Sequence, residues 1–325
     1  MLKNLQVDIH NYKYIRHIGS GSFGEVELIQ EIKTGKDYAA KILSESCDDP
    51  NTQIQLMNEA YIFSKVNYPT ILRFHGFDLK DFNSEPHPTF ITEFIPKKSL
   101  LFMLDMESKG AASSGWTSGS KYNVLYGLAL GLNYLHSKKK IVHRDVKPAN
   151  ILLNVLGEDN NSIFYPVICD FGLSKITNTE LKKFLMGSTR GSLLYMAPEI
   201  YNGKSYTYKI DVYSFSIVAI QIITNTTKML QGQFNVSKVC GDENQEFLEK
   251  CHDEDPNKRP NFYDICCFMA KKSFVDVFNN VDVNEVISIK ICLNTSIENI
   301  HNFNKNLFKI PHQSQNYYII KNNCM

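Results

Sequence analysis

The sequence predicts an α+β fold with two lobes, in which a small antiparallel sheet with one helix precedes a larger, mainly helical lobe. Alternating apolar and polar residues from Tyr14 to Leu43 flank a Lys-Thr-Gly-Lys turn, which is the pattern of a β-hairpin. Residues 48–66 carry apolar side chains at helical spacing and predict one amphipathic helix. After Pro96, helical patterns dominate as far as Phe274, so we expect the second lobe to begin near this proline.

Two further strands, over residues 71–77 and 89–94, complete the predicted sheet. The small and polar residues 109–115 predict a loop between helices of the second lobe. The predicted parts of the chain are an N-terminal extension at 1–13, one domain at 14–276 with lobes at about 14–95 and 96–276, and a tail of unknown role at 277–325.

Composition excludes several classes of protein. With 43% hydrophobic and 21% charged residues, the 325-residue chain is expected to be soluble and globular. Lys and Arg total 35 against 34 Asp and Glu, so net charge gives no reason to expect nucleic acid as a partner. We find neither the apolar stretch of a secretory signal nor an apolar run of about 18 residues that would span a membrane, and we expect a cytoplasmic location. Composition says nothing about oligomeric state.

A glycine-rich segment at residues 19–24 has the spacing GxGxxG, which lets a backbone approach phosphate groups closely. A dinucleotide-binding site would need a helix to begin at the last glycine. Residues 25–28 instead alternate with a period of two, which favours a turn between two strands that covers the phosphates. On the return strand, Lys41 either points inward as a cation for phosphate or is an ordinary solvated lysine.

Residues 143–150 read His-Arg-Asp-Val-Lys-Pro-Ala-Asn and place three chemically useful groups within one loop. These groups are the carboxylate of Asp145, the ammonium of Lys147 and the amide of Asn150. A second carboxylate, Asp170, follows 25 residues after Asp145 and precedes Phe-Gly. Since hard oxygen ligands such as Asp and Asn suit magnesium on a nucleotide, a metal-assisted phosphate chemistry is plausible here.

Taken in order, the glycine-rich segment, Lys41, the 143–150 motif, Asp-Phe-Gly at 170–172 and Ala-Pro-Glu at 197–199 resemble the eukaryotic protein kinase family. The resemblance covers the chain from about Tyr14 to Phe274. It implies the two-lobed protein kinase fold, with ATP and Mg²⁺ as cofactors and a protein substrate with a serine or threonine acceptor.

The resemblance also implies catalytic roles. Asp145 would orient the substrate hydroxyl and accept its proton, and Lys147 would neutralise charge on the transferred phosphoryl group. Asn150 and Asp170 would hold the metal. Lys41 would contact the α and β phosphates and pair with a helical glutamate. The implied catalytic residues are Asp145, Lys147, Asn150, Lys41 and Glu59.

A larger set would bind the nucleotide, with apolar side chains around adenine, a small residue behind it and backbone groups at its edge. The implied residues are Ile18, Gly19, Ser20, Gly21, Ser22, Phe23, Gly24, Val26, Ala39, Lys41, Thr92, Glu93, Ile95, Leu152 and Asp170.

Other matching positions have mainly structural roles in such kinases. Four rings stack across the lobes: Phe63, Phe74, His143 and Phe171. Asp211 anchors the loop at 143–150, and Glu199 forms an ion pair with Arg259.

Specificity and regulation follow only from the resemblance. Lys147 followed by proline, and Ser192 ahead of the Ala-Pro-Glu motif, resemble serine/threonine kinases, and the segments at 211–215 and 255–260 resemble the tyrosine-kinase-like group. Arg144 stands where related kinases bind an activating phosphate, added by an upstream kinase or by autophosphorylation. Candidate acceptors are Thr177, Thr179, Ser188 and Thr189.

The residues leave other functions open. A pseudokinase would use the same fold as a scaffold without catalysis, although every ionisable group that it would be expected to lose is present. A kinase directed at tyrosine, at both classes of hydroxyl or at a small hydroxylated metabolite would use the same chemistry.

Overall fold

The computed structural model describes residues 2–21, 24–48, 50–156, 163–176, 193–227 and 240–278. Within these ranges the chain forms the predicted α+β fold, with a five-stranded antiparallel sheet in the first lobe and a helical second lobe. Several positions singled out in the sequence lie outside the described ranges: Ser22, Phe23, Thr177, Thr179, Ser188, Thr189, Ser192 and most of the tail.

The first lobe is a sheet with one helix packed on one face, which we call the inner face. Its strands have the spatial order β1-β2-β3-β5-β4, and every neighbouring pair is antiparallel. The bounds are Tyr12–Gly21 (β1), Gly24–Glu31 (β2), Asp37–Leu43 (β3), Phe74–Asp78 (β4), Thr89–Glu93 (β5) and Pro50–Lys65 for helix α1. The predicted hairpin is the β2–β3 pair, and the predicted helix is α1.

The N-terminal boundary of the sheet lies earlier than the alternating pattern suggested. β1 begins at Tyr12, and short 3₁₀ turns at Leu2–Leu5 and Ile9–Asn11 precede it. The Asp8 carboxylate accepts a hydrogen bond from His10 N and caps the second turn. Residues 2–13 therefore contact the first lobe.

The second lobe is built around two buried helices and includes two small strand pairs. The helix bounds are Leu100–Ser108 (α2), Ser118–Tyr134 (α3), Pro198–Tyr201 (α4), Lys209–Thr224 (α5), Asp242–Cys251 (α6), Phe262–Met269 (α7) and Lys272–Val275 (α8). The strand bounds are Ile141–Val142 (β6), Ile151–Leu156 (β7), Ile163–Ile168 (β8) and Lys175–Ile176 (β9), with β6 paired to β9 and β7 paired to β8.

Helices α3 and α5 form the centre of this lobe because they are apolar around most of their circumference. Thr117 caps the N-terminus of α3 by accepting a hydrogen bond from Ser120 N. Within the described ranges, no helix combines the length with the apolar composition that crossing a membrane requires.

A buried ion pair connects α4 to the loop before α7. Arg259 donates two hydrogen bonds to Glu199, at 2.7 Å to Oε1 and 2.8 Å to Oε2, and its Nε donates to Asp253 O at 2.7 Å. Arg259 is 1% exposed and Glu199 is 4% exposed. The bidentate geometry and the backbone acceptors compensate the cost of removing both charges from water. The pair implied by the family resemblance is therefore present.

Replacing Arg259 with methionine is expected to lower the free energy of unfolding by about 3–5 kcal/mol, because Glu199 would remain buried without a partner. Urea denaturation of the full chain measures this change. The matched control is Lys258→Met, since Lys258 is exposed and lies 3.7 Å from Asp253 Oδ2. We expect the control to cost about 1 kcal/mol or less. Equal losses for the two variants would contradict the role given to the buried pair.

His252 lies beside this pair and makes the stability of the lobe sensitive to pH. The His252 ring stacks on the Tyr213 ring with centroids 4.2 Å apart, and the Arg259 guanidinium carbon lies 5.1 Å from the centroid of the Tyr213 ring. Burial, and then the charge of Arg259, lower the pKa of His252 to about 4. His252 is therefore neutral in the folded protein at pH values where the unfolded chain already binds a proton.

We expect stability to fall as the pH is lowered from about 6.5, the ordinary pKa of histidine, toward 4. The reason is that protons bind to the unfolded chain more strongly than to the folded one in this range. A His252→Phe variant keeps the ring stack and should show a flatter dependence of the unfolding midpoint on pH over the same window. Parallel curves for the two proteins would exclude His252 as the source.

Candidate active site

The described glycines of the glycine-rich segment lie at the end of β1 and the start of β2, as the alternating pattern predicted. Gly19 pairs with Val26, and Gly21 pairs with Gly24. Gly24 has φ 145°, and a Cβ atom there would lie 1.8 Å from Ile42 O, so only glycine fits. Because Gly24 begins a strand and not a helix, the dinucleotide-binding alternative is excluded.

The residues expected around adenine come from both lobes. Ala39 of β3 lies opposite Thr92 of β5, and Thr92 is 7% exposed. Leu152 of β7 packs against a buried cluster that includes Ile95, which follows β5. Glu93 N donates to Arg73 O at 2.9 Å. These residues therefore lie along the connection between the sheet and the second lobe.

Lys41 joins the sheet to α1 and to the loop after β8. Its Nζ atom lies 2.8 Å from Asp170 Oδ1 and 3.7 Å from Glu59 Oε1. The alternative of a solvated lysine at a strand end is therefore wrong. Two carboxylates and one ammonium meet here, although they are far apart in the sequence.

Burial and charge act in opposite directions on these three groups. Burial alone would lower the pKa of Lys41, but the charges of Glu59 and Asp170 raise it. Burial likewise favours a higher pKa for Asp170, yet the charge and hydrogen bond of Lys41 hold its pKa below the ordinary value. Burial raises the pKa of Glu59 because it outweighs the attraction of Lys41. Lys41 therefore compensates Asp170 more fully than it compensates Glu59.

Asp145 is oriented by two neighbours from its own loop. Lys147 Nζ donates to Asp145 Oδ2 at 2.7 Å, and Asn150 Nδ2 donates to the same oxygen at 2.8 Å. Asn150 also donates to Asp145 O at 2.9 Å. Among the described residues, none donates a hydrogen bond to Asp145 Oδ1. One oxygen is thus held in place while the other can accept a proton from an approaching hydroxyl.

The loop that carries Asp145 is held by Asp211, a buried carboxylate on α5. Asp211 accepts hydrogen bonds from His143 N and Arg144 N, both at 2.8 Å, and His136 Nε2 lies 2.8 Å from Asp211 Oδ2. The backbone of Arg144 has φ 73°, an uncommon value for a residue with a side chain. Asp211 holds this conformation and therefore fixes the direction of Asp145.

His136 is a neighbour of Asp211 that sequence reasoning missed. Burial favours a higher pKa for Asp211, but the hydrogen bond and charge of His136, the charge of His143 and the hydrogen bond from Arg144 N keep that pKa below the ordinary value. A lone histidine 75 residues from Asp211 carries no motif that would have revealed the contact.

A chain of rings connects α1 to the loop that carries Asp145. Phe74 and Phe63 stack with centroids 5.1 Å apart, Phe63 and Phe171 lie 4.9 Å apart, and Phe171 and His143 lie 5.1 Å apart. Phe171 is fully buried. The four residues that the family resemblance grouped together are therefore in contact, and they couple the position of α1 to the loop that carries Asp145.

The oxygen groups expected to hold a metal remain available. Asp170 uses Oδ1 for Lys41, and Asn150 uses Nδ2 for Asp145. No hydrogen bond from the described residues engages Asp170 Oδ2 or Asn150 Oδ1. The charges of Lys41 and Lys147 both lower the pKa of Asp170, so this carboxylate is ionised near neutral pH. A hard divalent cation with oxygen ligands fits this donor set.

The comparisons with known proteins agree with this geometry. The family model for the protein kinase domain matches residues 12–269. A probable serine/threonine-protein kinase of Dictyostelium discoideum is 31% identical, over 80% of this chain and 24% of the relative. The serine/threonine-protein kinase VIK of Arabidopsis thaliana is 31% identical, over 76% of this chain and 57% of the relative.

The dual specificity protein kinase shkB of Dictyostelium discoideum is 30% identical, over 80% of this chain and 40% of the relative. The chain thus spans between about a quarter and three fifths of the length of these relatives. Assignment to the tyrosine-kinase-like group stays a prediction. The family model, the two-lobed fold and the residues gathered around Lys41 and Asp145 lead to one conclusion: the chain belongs to the protein kinase domain family.

Proposed function

We propose that this chain transfers the γ-phosphoryl group of ATP to serine or threonine hydroxyls of protein substrates. The observation that carries the proposal is the state of Asp145, whose Oδ2 is held by Lys147 and Asn150 while Oδ1 receives no hydrogen bond from the described residues. A carboxylate held in this way is suited to orient a hydroxyl and to receive its proton.

The remaining catalytic residues act on charge and position. Lys147, whose Nζ lies 2.7 Å from Asp145 Oδ2, compensates negative charge on the transferred phosphoryl group. Lys41 binds the α and β phosphates, and Glu59 sets the position of Lys41 through the ion pair with α1. Phosphoryl transfer requires little covalent chemistry from the protein, so the rate depends mainly on holding the reactants in line.

Asn150 and Asp170 are proposed to hold Mg²⁺, since Asn150 Oδ1 and Asp170 Oδ2 fit this cation and receive no hydrogen bond from the described residues, whereas Asp170 Oδ1 is paired with Lys41. The ion would neutralise phosphate charge and keep the triphosphate in a fixed geometry.

The nucleotide is proposed to lie between the turn that joins β1 to β2 and the residues at the connection between the lobes. Backbone groups near the glycines would approach its phosphates. The apolar side chains proposed for adenine are Val26, Ala39 and Leu152, with Thr92 behind the ring and backbone groups from Glu93 to Ile95 at its edge.

Specificity, regulation and location are proposals of the same kind. The serine/threonine preference is supported by the names of two of the relatives, whereas a third is named as a dual specificity kinase. Activation by phosphorylation is proposed because Arg144, next to Asp145, stands where related kinases bind an activating phosphate. The guanidinium carbon of Arg144 lies 5.7 Å from the centroid of the Tyr206 ring. We also propose a domain at 14–276 and a cytoplasmic location.

Asp145→Asn is expected to lower kcat by about 10²–10⁴-fold, because the amide cannot accept the proton of the substrate hydroxyl. The assay follows labelled phosphate from ATP into a generic protein substrate. The matched control is Asp105→Asn, since Asp105 is an exposed aspartate of α2 paired with Lys109. This control should retain the wild-type rate.

Phosphoamino-acid analysis of the product then tests specificity, with phosphoserine and phosphothreonine expected. Phosphotyrosine as the main product would overturn the specificity and leave the transfer chemistry intact. Equal activity of wild type and Asp145→Asn would contradict the catalytic role of Asp145. A wild-type chain without transfer activity would favour the pseudokinase alternative.

A further inference from the structure

Residues 2–11, which we call the N-terminal strap, wrap around one edge of the first lobe. The 3₁₀ turn Leu2–Leu5 contacts α1, and the chain then passes the edge strand β4. Gln6 pairs with Phe77 in a parallel bridge, and Val7 N donates to Phe77 O at 2.9 Å. The strap thereby covers the outer edge of β4, whose backbone groups would otherwise lack partners there.

The second half of the strap covers the outer face of the sheet. Ile9 is 1% exposed, and Ile9 N donates to Asp78 Oδ2 at 2.8 Å. Val7 packs against the apolar cluster that contains Ile9. The other members of this cluster come from four strands of the sheet: Tyr12, Ile29, Tyr38, Ala40 and Ile91. The strap is therefore anchored on the sheet independently of α1.

The first half of the strap contacts the inner face, where α1 lies. The half-buried side chain of Leu5 packs against a cluster formed by Leu56 and Ala60 of α1 together with Phe77 and Phe90 of the sheet. Leu56 and Ala60 flank Glu59 in the sequence of α1, one turn before it and directly after it. Leu5 thus packs against the turn of α1 that carries Glu59, the partner of Lys41.

The sheet is adapted to this segment at Gly76 of β4. A Cβ atom at this position would lie 2.6 Å from Val7 Cγ1 and 2.7 Å from Leu5 O. Contacts this short are not tolerated by real side chains, so the strap can lie this close to β4 only because residue 76 is glycine.

The ion pair between Lys41 and Glu59 is the longer of the two that Lys41 makes. Lys41 Nζ is 3.7 Å from Glu59 Oε1 but 2.8 Å from Asp170 Oδ1. The position of Glu59 therefore depends also on how α1 packs against the sheet, and Leu5 is part of that packing.

We propose that Leu5 is a positioning residue for phosphoryl transfer: it holds α1 against the sheet so that Glu59 reaches Lys41. The inference rests on the proposed kinase function. It assigns the positioning of α1 to Leu5, a residue that precedes the sheet, and not to the part of the strap around Val7.

The test compares kcat and KM for ATP in full-length wild type, Leu5→Ala and Val7→Ala. Leu5→Ala should lower kcat by about tenfold, because it weakens the packing that favours the paired position of α1. Leu5→Met should restore most of the rate, since it conserves apolar volume. Val7→Ala is the matched control: it removes an apolar contact of the same segment with the sheet, and we expect kcat to stay within about twofold of wild type.

Repeating the change in a Glu59→Gln background separates positioning from general destabilisation. If Leu5 acts through Glu59, Leu5→Ala should change the residual kcat of Glu59→Gln by less than about twofold. Gly76→Ala should reproduce the loss seen with Leu5→Ala, because the new Cβ atom displaces the strap. An unchanged kcat in Leu5→Ala, or an equal tenfold loss in both backgrounds, would overturn the proposal.

Hydrogen exchange of the amides in α1 tests the same proposal without relying on catalysis. Leu5→Ala should speed exchange across α1, whereas Val7→Ala should leave α1 at the wild-type rate. If wild type transfers no phosphate, the proposed function fails, and the exchange result still decides whether Leu5 holds the helix. Equal exchange in α1 for wild type and Leu5→Ala would contradict the positioning role.

Discussion

The ammonium group of Lys41 is the charge on which the arrangement of the site depends. It lies between a carboxylate of α1 and a carboxylate of the loop after β8, at 3.7 Å from Glu59 and 2.8 Å from Asp170. Without it, the buried carboxylate of Glu59 would face the partly buried carboxylate of Asp170, and the uncompensated charge of Glu59 would cost several kcal/mol. The ion pair therefore links the sheet, the helix and the second lobe, and the ring contacts from Phe63 to Phe171 follow from the same approach of α1.

The second constraint is a backbone held in an uncommon conformation. Arg144 has φ 73° and Asp170 has φ 64°, values that cost energy for residues with side chains. Asp211 stabilises the first by accepting two backbone hydrogen bonds, and Lys41 holds the side chain of the second. Asp145 and Asp170 come from different loops, and hydrogen bonds to neighbouring groups hold both in place. A reaction that depends on positioning needs such fixed geometry more than it needs any unusual chemical group.

Local patterns were sufficient to predict the strand–turn–strand form of the glycine-rich segment, because a period of two after Gly24 is incompatible with a helix. The inward direction of Lys41 could not be predicted in this way, since a strand end looks the same with a solvated lysine. The contact between His136 and Asp211 and the fit of the strap against Gly76 were also out of reach. Both join residues that are about 70 positions apart, and no local propensity encodes such a meeting.

Phosphoryl transfer measured over a range of Mg²⁺ concentrations, in wild type and in Asp170→Asn, tests most directly whether the groups around Lys41 form a phosphate-transfer site. The substitution keeps the shape of Asp170 and removes the charge that pairs with Lys41 and that the proposed cation would share. Wild type should depend on Mg²⁺ and saturate, whereas Asp170→Asn should lose about 100-fold or more in rate and need higher Mg²⁺. The same rate and the same Mg²⁺ dependence in both proteins would contradict the account.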